Sequence, residues 1–198
     1  MRRLFPLLLL AGCGDTPVGE ALRGAVAPAP APVVAVVPVA GPALLVTGGR
    51  RPLAFALVQE SGERRLWRAE GGVAIATDGA RIVATAGLGP VLAATRFEGP
   101  DPLQDPRNLA GRAATARRTV DMQGADRDPG SMRFGLLLEC RLTGQAQGGF
   151  VVVEERCSGP GGAFTNRFWA EAGSGLVRRS EQWVGPGMPM LTVEIGGF

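Results

Sequence analysis

The stretch RRLWRAEGGVAIATDGARIVATA, residues 64–86, decides the fold class. It consists of three short apolar runs and two turn doublets, namely Arg64–Ala69, Gly71-Gly72, Val73–Thr77, Asp78-Gly79 and Arg81–Ala86. Asp-Gly tolerates the backbone angles of a two-residue hairpin turn, and short runs joined by tight turns pair as antiparallel strands. The stretch therefore predicts a β-meander with a hairpin turn at Asp78-Gly79.

The same rhythm continues on both sides of this stretch. Further strands are predicted at Ala43–Thr47, Leu53–Gln59, Thr115–Met122, Met132–Leu142, Phe150–Cys157, Phe164–Ala170, Leu176–Val184 and Met190–Ile195. Residues 99–128 are less regular: Asp105-Pro106 either caps a short helix running to Ala110 or belongs to a loop. No amphipathic helix of normal length is visible. We expect a single all-β domain over residues 43–198, a long antiparallel meander curled into a sandwich or an open barrel.

The N-terminus carries the pattern of a bacterial lipoprotein signal. Arg2 and Arg3 precede the apolar run Leu4–Leu10, and a lipobox, Leu-Ala-Gly-Cys, ends at Cys13. The run is too short to span a bilayer, so residues 1–12 are predicted to be a cleaved signal peptide. Cys13 would then be lipidated and would anchor the chain to a membrane.

The residue after Cys13 indicates which membrane. In Gram-negative cells an aspartate there favours the inner membrane, whereas this chain has Gly14, so we expect a periplasm-facing anchor in the outer membrane. Residues 13–42 are rich in Pro and Ala and are predicted to form an extended tether. The Val-rich part, Val33–Val39, is also compatible with an edge strand, although its prolines exclude a central one.

Composition excludes several classes of function. The formal charge of +3 falls to +1 when Arg2 and Arg3 leave with the signal, so no nucleic-acid partner is expected. The chain has no histidine, which rules out Ser-His-Asp and Cys-His catalysis and removes the commonest zinc ligand. Neither a phosphate-binding loop nor a metal-spaced cluster is present, and we expect no metal and no cofactor.

Two cysteines remain once Cys13 is set aside as lipidated. Cys140 and Cys157 form an even pair in an oxidising compartment, where disulfides persist. They lie symmetrically about a turn at 147–149, so a hairpin folded there brings them face to face. The sequence predicts a disulfide between them.

Carboxylate pairs are the remaining route to an enzyme, because two of them suffice to cleave a glycosidic bond. Glu154 and Glu155 are adjacent on a predicted strand and therefore point to opposite faces. The other candidates, Glu171, Glu181 and Glu194, lie among arginines. We expect the glutamates to be solvated charges, and the chain not to be an enzyme.

Aromatic residues embedded in polar strand sequence are a second kind of candidate. Trp67 and Trp169 are expected in the core, because strand alternation puts one face inside. Trp183 is equally compatible with the core and with the surface. Aromatic rings flanked by Arg, Asn and Gln also suit a sugar-binding surface.

Two blocks resemble the YjbF-like, group 4 capsule polysaccharide lipoprotein family. The first comprises Leu66-Trp67-Arg68 and residues 77–88, and the second comprises Phe164–Trp169, residues 175–182 and Gly185-Pro186. The blocks occur in order and span most of the predicted domain. Phe168 and Glu171 depart from the Tyr and Asp that are usual in that family.

The resemblance implies an all-β outer-membrane lipoprotein, without an established active site, that is needed to make or export capsule or exopolysaccharide. It implies contact with the polymer or with other export and assembly proteins. The alternatives are a polysaccharide-modifying hydrolase with paired carboxylates and a structural lipoprotein with an indirect role. Within the shared residues, Arg81 and Thr85 form either a polar patch or a buried arginine bound to backbone carbonyls. The predicted glycan-binding residues are Arg81, Asn166, Trp169 and Gln182.

Overall fold

Twelve antiparallel strands make up most of the chain that the structure, a computed structural model, describes: residues 42–49, 51–126 and 128–196. The strands are β1 (Ala43–Thr47), β2 (Leu53–Ser61), β3 (Arg64–Arg68), β4 (Ala74–Asp78), β5 (Arg81–Ala86), β6 (Val91–Phe97), β7 (Ala113–Gln123), β8 (Arg133–Gln147), β9 (Phe150–Gly159), β10 (Gly162–Glu171), β11 (Val177–Gln182) and β12 (Leu191–Gly196). Helical structure in these residues is limited to 3-10 turns at Glu70–Gly72, Pro102–Gln104, Pro106–Leu109 and Pro129–Ser131.

All twelve strands form one sheet, in the order β5-β4-β3-β2-β1-β12-β11-β10-β9-β8-β7-β6. Each strand pairs antiparallel with the next strand along the chain, except that β5 does not pair with β6, and β1 pairs with β12. The sheet curls into a nearly closed barrel, in which the two end strands, β5 and β6, face each other across a seam. The Leu92 amide donates a hydrogen bond of 3.1 Å to Thr85 Oγ1 across this seam. The prediction of an all-β meander is confirmed, and of its two variants the barrel is the one observed.

The core fills the inside of the barrel because the strands alternate between inward and outward side chains. In β9, Val151, Val153, Glu155 and Cys157 point inward, while the residues between them are partly or fully exposed. Leu138, Cys140 and Leu142 of β8 and Phe168 of β10 complete this part of the core. Burying an aliphatic or aromatic side chain contributes about 1.5–3 kcal/mol, so this inner layer supplies much of the stability.

Two β-bulges explain where the sequence prediction of strands was incomplete. Strand β6 was not predicted, because a register shift between Leu92 and Ala94 interrupts the alternation on which the prediction depends. A second shift separates Ala76 from Thr77 in the ladder with β5. The hairpin there turns at Gly79-Ala80, one residue later than predicted, because Asp78 pairs with Arg81. Gly79 takes the positive φ of 56° that the turn requires.

The connection between β6 and β7 crosses one end of the barrel. The alternatives there were a short helix or a loop, and the structure contains 3-10 turns at Pro102–Gln104 and Pro106–Leu109. Their side chains Leu103, Pro106 and Leu109 are buried. This connection therefore seals part of the barrel end and adds to the core.

The predicted disulfide is confirmed. Cys140 and Cys157 are register partners in the hairpin of β8 and β9, and their sulfur atoms are 2.05 Å apart. Both residues are buried, so the bond crosslinks the two strands from inside the barrel.

The predicted signal peptide, the lipidation site Cys13, the tether up to residue 41 and the possible strand at Val33–Val39 lie outside the described residues. Among the residues that are described, no helix is long and apolar enough to cross a membrane.

Candidate functional site

Arg81 is the centre of a charged network inside the barrel. Only 1% of the residue is exposed, yet its guanidinium is fully engaged by two carboxylates. Nε and Nη2 donate to the two oxygens of Asp101 at 2.6 and 3.1 Å, and Nη1 donates to Glu155 Oε2 at 2.9 Å. The two-pronged contact with Asp101 uses the planar geometry in which arginine binds carboxylates best. Of the two sequence-based alternatives, the buried arginine is correct, but its partners are carboxylates rather than backbone carbonyls.

Three different parts of the chain position this network. Arg81 follows directly after the Gly79-Ala80 turn, at the first position of β5. Asp101 precedes the 3-10 turn at Pro102–Gln104, and its Oδ1 also accepts a hydrogen bond of 3.0 Å from the Leu103 amide. Glu155 lies on the inward face of β9. The ion pairs therefore join the β6–β7 connection to two strands that are distant in the sheet.

Asn166 and Gln182 support the network with hydrogen bonds. Asn166 Nδ2 donates to Glu155 Oε2 at 2.6 Å, and its Oδ1 accepts from the Trp183 amide at 2.8 Å. Gln182 reaches across the barrel to the β4–β5 hairpin, where Oε1 accepts from the Ile82 amide at 2.9 Å and Nε2 donates to the Ala80 carbonyl at 2.8 Å. Both amides are almost completely buried. Their hydrogen bonds join β10 to β9 and β11 to the β4–β5 hairpin, so both side chains have a structural role.

A second buried arginine, Arg118 of β7, lies beside the first. Its guanidinium carbon is 5.2 Å from the centroid of the Phe164 ring and 6.0 Å from that of Phe97. Phe164 in turn stacks on Trp183, with ring centroids 4.2 Å apart. Nε and Nη2 of Arg118 are buried and have no hydrogen-bond partner among the described residues, and the same is true of Glu155 Oε1.

The charges of the network shift the pKa values of its members. Burial by itself raises the pKa of the Glu155 carboxyl, but the charges of Arg81 and Arg118, together with hydrogen bonds from Arg81 and Asn166, lower it overall. Burial lowers the pKa of Arg118 to about 10, a change that Glu155 opposes and Arg81 reinforces. Burial also disfavours the charge of Arg81, but Glu155 and Asp101 outweigh this effect and raise its pKa. At neutral pH all three side chains are therefore charged.

An open cleft of about 600 Å³ lies at the barrel end next to this network. Arg81, Asp101, Phe97 and Thr95 line it, together with residues of the β6–β7 connection and of the start of β11. Glu155, Asn166 and Gln182 are not among its lining residues, so they lie behind its wall. The cleft is thus in contact with one edge of the network only.

The four predicted glycan-binding residues do not share one surface. Arg81, Asn166 and Gln182 come together inside the barrel, and only Arg81 reaches the cleft. Trp169 was expected in the core, but it lies half-buried on the outer face of β10, with the guanidinium carbon of Arg179 5.2 Å from its ring centroid. The one-residue offset between Phe168 and Trp169 explains this, because Phe168 takes the inward position. Trp67 is in the core as predicted, and its indole Nε1 donates to Thr77 Oγ1 at 3.0 Å.

The prediction that the glutamates are solvated is wrong for Glu155. It is completely buried, whereas Glu154 points to the other face, as the adjacent positions required. Glu171, Glu181 and Glu194 do pair with arginines on or near the surface. The signal for Glu155 was present in the sequence, since it alternates with Val151, Val153 and Cys157. The roles of Asp101 and Arg118 depend on long-range packing and had no local signal.

Cys140, Cys157 and Glu155 offer a sulfur–oxygen cluster of metal-binding size, with their ligand atoms within 4.8 Å of one another. Both sulfurs belong to the disulfide, however, so neither is a thiolate that coordinates a metal. The cluster therefore has a structural role, in which the disulfide crosslinks β8 and β9.

Comparisons with known proteins are consistent with this architecture. The family model of the group 4 capsule polysaccharide lipoproteins, gfcB and YjbF, matches residues 25–195. A crystal structure of the hypothetical lipoprotein YmcC from Escherichia coli K12 is similar, with a TM-score of 0.69 and 15% sequence identity over 92% of this chain and 98% of that chain. At that identity the likeness shows the fold alone. No curated protein matches the sequence.

Proposed function

The chain belongs to the YjbF family of group 4 capsule polysaccharide lipoproteins, and on that premise we propose that it assists the assembly or export of capsule or exopolysaccharide without catalysing a reaction. In this proposal Cys13 carries a lipid that anchors the chain in the outer membrane, and the barrel faces the periplasm. There it contacts the polymer or other secretion proteins. Family membership supports the link to capsule polysaccharide, and the geometry of the charged network supports the non-catalytic role.

The position of Arg81 between two carboxylates is the observation that carries the non-catalytic role. A glycosidase needs two carboxyl groups on either side of the scissile bond, with the sugar between them. Here the guanidinium of Arg81 fills the space between Asp101 and Glu155, bonded to both. Asp101 and Glu155 are thus held as counterions and not as an acid–base pair.

Glu155 is also unsuited to be the acid of such a pair. A general acid at neutral pH needs a raised pKa, whereas the pKa of Glu155 is lowered. It is completely buried and does not line the cleft, so a substrate in the cleft does not reach it.

A gene deletion tests the proposed role. Loss of the gene should lower the amount of surface polysaccharide, and the unaltered gene should restore it. Variants of partly exposed glutamates, Glu154→Gln, Glu171→Gln and Glu181→Gln, should each restore it equally well. An unchanged amount of polysaccharide in the deletion strain would contradict the proposal.

The anchor is tested separately by mass spectrometry of the mature N-terminal peptide. We expect a diacylglycerol-modified Cys13 and, for Cys13→Ala, loss of membrane attachment with the barrel intact. An unmodified Cys13 or a cleavage site elsewhere would contradict the membrane assignment.

A further inference from the structure

The cleft at the barrel end has the size and shape of a ligand site. Its volume of about 600 Å³ falls within the usual range for small-molecule pockets. It lies between the β4–β5 hairpin, the end of β6, the β6–β7 connection and the start of β11. Arg81 of the hairpin is joined to Asp101 of the β6–β7 connection and packs on Phe97 at the end of β6, so these walls are held by an ion pair and a ring contact. A ligand would therefore meet a preformed surface.

The positive charges that line the cleft are already neutralised, and Glu63 adds a further carboxylate to the lining. Each lining arginine has a carboxylate partner: Arg64 pairs with Asp78 at 3.4 Å, Arg65 with Glu60 at 2.7 Å, Arg81 with Asp101 at 2.6 Å and Arg96 with Asp121 at 2.8 Å. A phosphate or a polyanion entering the cleft would have to compete with these carboxylates. The cleft thus favours a ligand that uses many neutral hydrogen bonds.

The polar and aromatic groups of the cleft match a sugar. Arginine–carboxylate pairs present donors and acceptors side by side, as sugar hydroxyls require, since each hydroxyl both donates and accepts. Phe97 offers an apolar ring to the C–H groups of a sugar, and its place is fixed by the Arg81 guanidinium carbon 4.7 Å from its centroid.

From these features we propose that the barrel-end cleft binds a short uncharged stretch of the polysaccharide. The inference rests on the proposed function, because it names the surface through which the chain contacts its polymer. The exposed pair Arg64–Asp78 and the carboxylate of Asp101 supply polar contacts, Phe97 supplies the apolar contact, and the buried Arg81 holds Asp101 and Phe97 in place. The binding surface lies at the barrel end, and Trp169 on the outer face has no part in it.

Calorimetric titration of the full-length chain in detergent tests this site. The probe is a short oligosaccharide fraction made by partial hydrolysis of the producing organism's own surface polysaccharide. Gln104 is exposed and lines the cleft, so Gln104→Trp should fill the cleft without disturbing the core and weaken binding at least about tenfold.

The matched control is Trp169→Leu, which alters the aromatic residue of the outer face and should leave the affinity unchanged. Inorganic phosphate should not compete with the oligosaccharide. The proposal is overturned if the unaltered chain shows no saturable binding, if Gln104→Trp binds as well as the unaltered chain, if Trp169→Leu loses binding, or if phosphate displaces the oligosaccharide.

Complementation separates this inference from the proposed function. Suppose the deletion strain lacks polysaccharide and folded Gln104→Trp protein restores it fully. The chain then supports production of the polysaccharide, as proposed, but does not do so through this cleft. If deletion leaves the polysaccharide unchanged, the proposed function fails, whatever the calorimetry shows.

Discussion

Glu154 and Glu155 are neighbours in β9, yet they belong to two different electrostatic regions of the molecule. Glu154 lies on the outer face, 3.3 Å from Arg167, whose side chain is half-exposed. Glu155 lies inside the barrel, 2.9 Å from Arg81, where both side chains are out of contact with water. The two pairs use the same residue types at similar distances, and they differ in their surroundings.

That difference determines how strongly the loss of one partner of each pair affects the stability of the fold. An exposed pair gains little, because water and salt screen it and its side chains lose freedom. A buried pair has lost its hydration, so removing one partner leaves an uncompensated charge in a medium of low dielectric constant. Loss of one partner of the interior network is therefore costly to the fold, while loss of one partner of an outer pair costs little.

The largest expected effect is that of removing Arg81. Arg81→Met leaves Asp101 and Glu155 without their shared counterion and should lower the free energy of unfolding by about 3–5 kcal/mol. Urea denaturation under oxidising conditions measures it. A loss below about 1 kcal/mol would mean that the interior pair resembles an exposed one. Should the variant fail to fold, the double variant Arg81→Met, Glu155→Leu should recover part of the loss, because it removes the buried charge of Glu155 as well.

Removing the disulfide should have the next largest effect. The bond joins Cys140 and Cys157 at a separation of 17 residues, and the chain-entropy model assigns about 3 kcal/mol to a loop of this size. The double variant Cys140→Ala, Cys157→Ala should lose at least this amount, measured by the same denaturation. A loss well under about 1 kcal/mol would show that the strand pairing alone fixes this hairpin.

The pH dependence of stability reports on the charge of the buried Glu155. Because its pKa is lower in the folded than in the unfolded chain, Glu155 stabilises the fold above its ordinary value of 4.5, and this contribution is lost as pH falls further through the lowered pKa. Glu155→Gln should cost about 1.5–3 kcal/mol at pH 7, and the difference should shrink progressively below pH 4.5. A cost that is independent of pH would contradict a charged Glu155.

The smallest effect is expected on the outer face. Glu154→Gln weakens the contacts with Arg156, which is largely exposed, and with Arg167, which is half-exposed, and should change the free energy of unfolding by less than about 1 kcal/mol. Added salt should reduce the change further. An effect as large as that of Glu155→Gln would remove the distinction between the two regions.

The sequence predicts the local features of the molecule better than its long-range contacts. Alternation and turn residues identify most strands, the Cys140–Cys157 pair and the opposite orientation of Glu154 and Glu155, because these depend on local periodicity. They do not identify β6, since a bulge breaks its alternation. They also do not predict that Asp101 reaches Arg81 or that Gln182 bonds to the β4–β5 hairpin 102 residues away in the sequence. Contacts of that kind depend on how the sheet closes into a barrel.

Trp169 shows the same limit on the scale of a single residue. The pair Phe168-Trp169 must place one ring inward and one outward, and local pattern does not decide which. The register of β10 places Phe168 inside, near Arg81, and leaves Trp169 with Arg179 outside. For this reason Trp169 lies on the outer face, whereas the other three predicted glycan-binding residues lie inside the barrel.

The most direct test of the central claim, that the chain supports polysaccharide production without cleaving polymer, is an assay for reducing ends. The purified full-length chain is incubated with the organism's own polymer, and new reducing ends are counted against a buffer control. We predict no release above the control, because Arg81 occupies the space between the two carboxylates. Release that disappears in the folded variant Asp101→Asn would show that the carboxylate at the cleft is catalytic and would contradict the account.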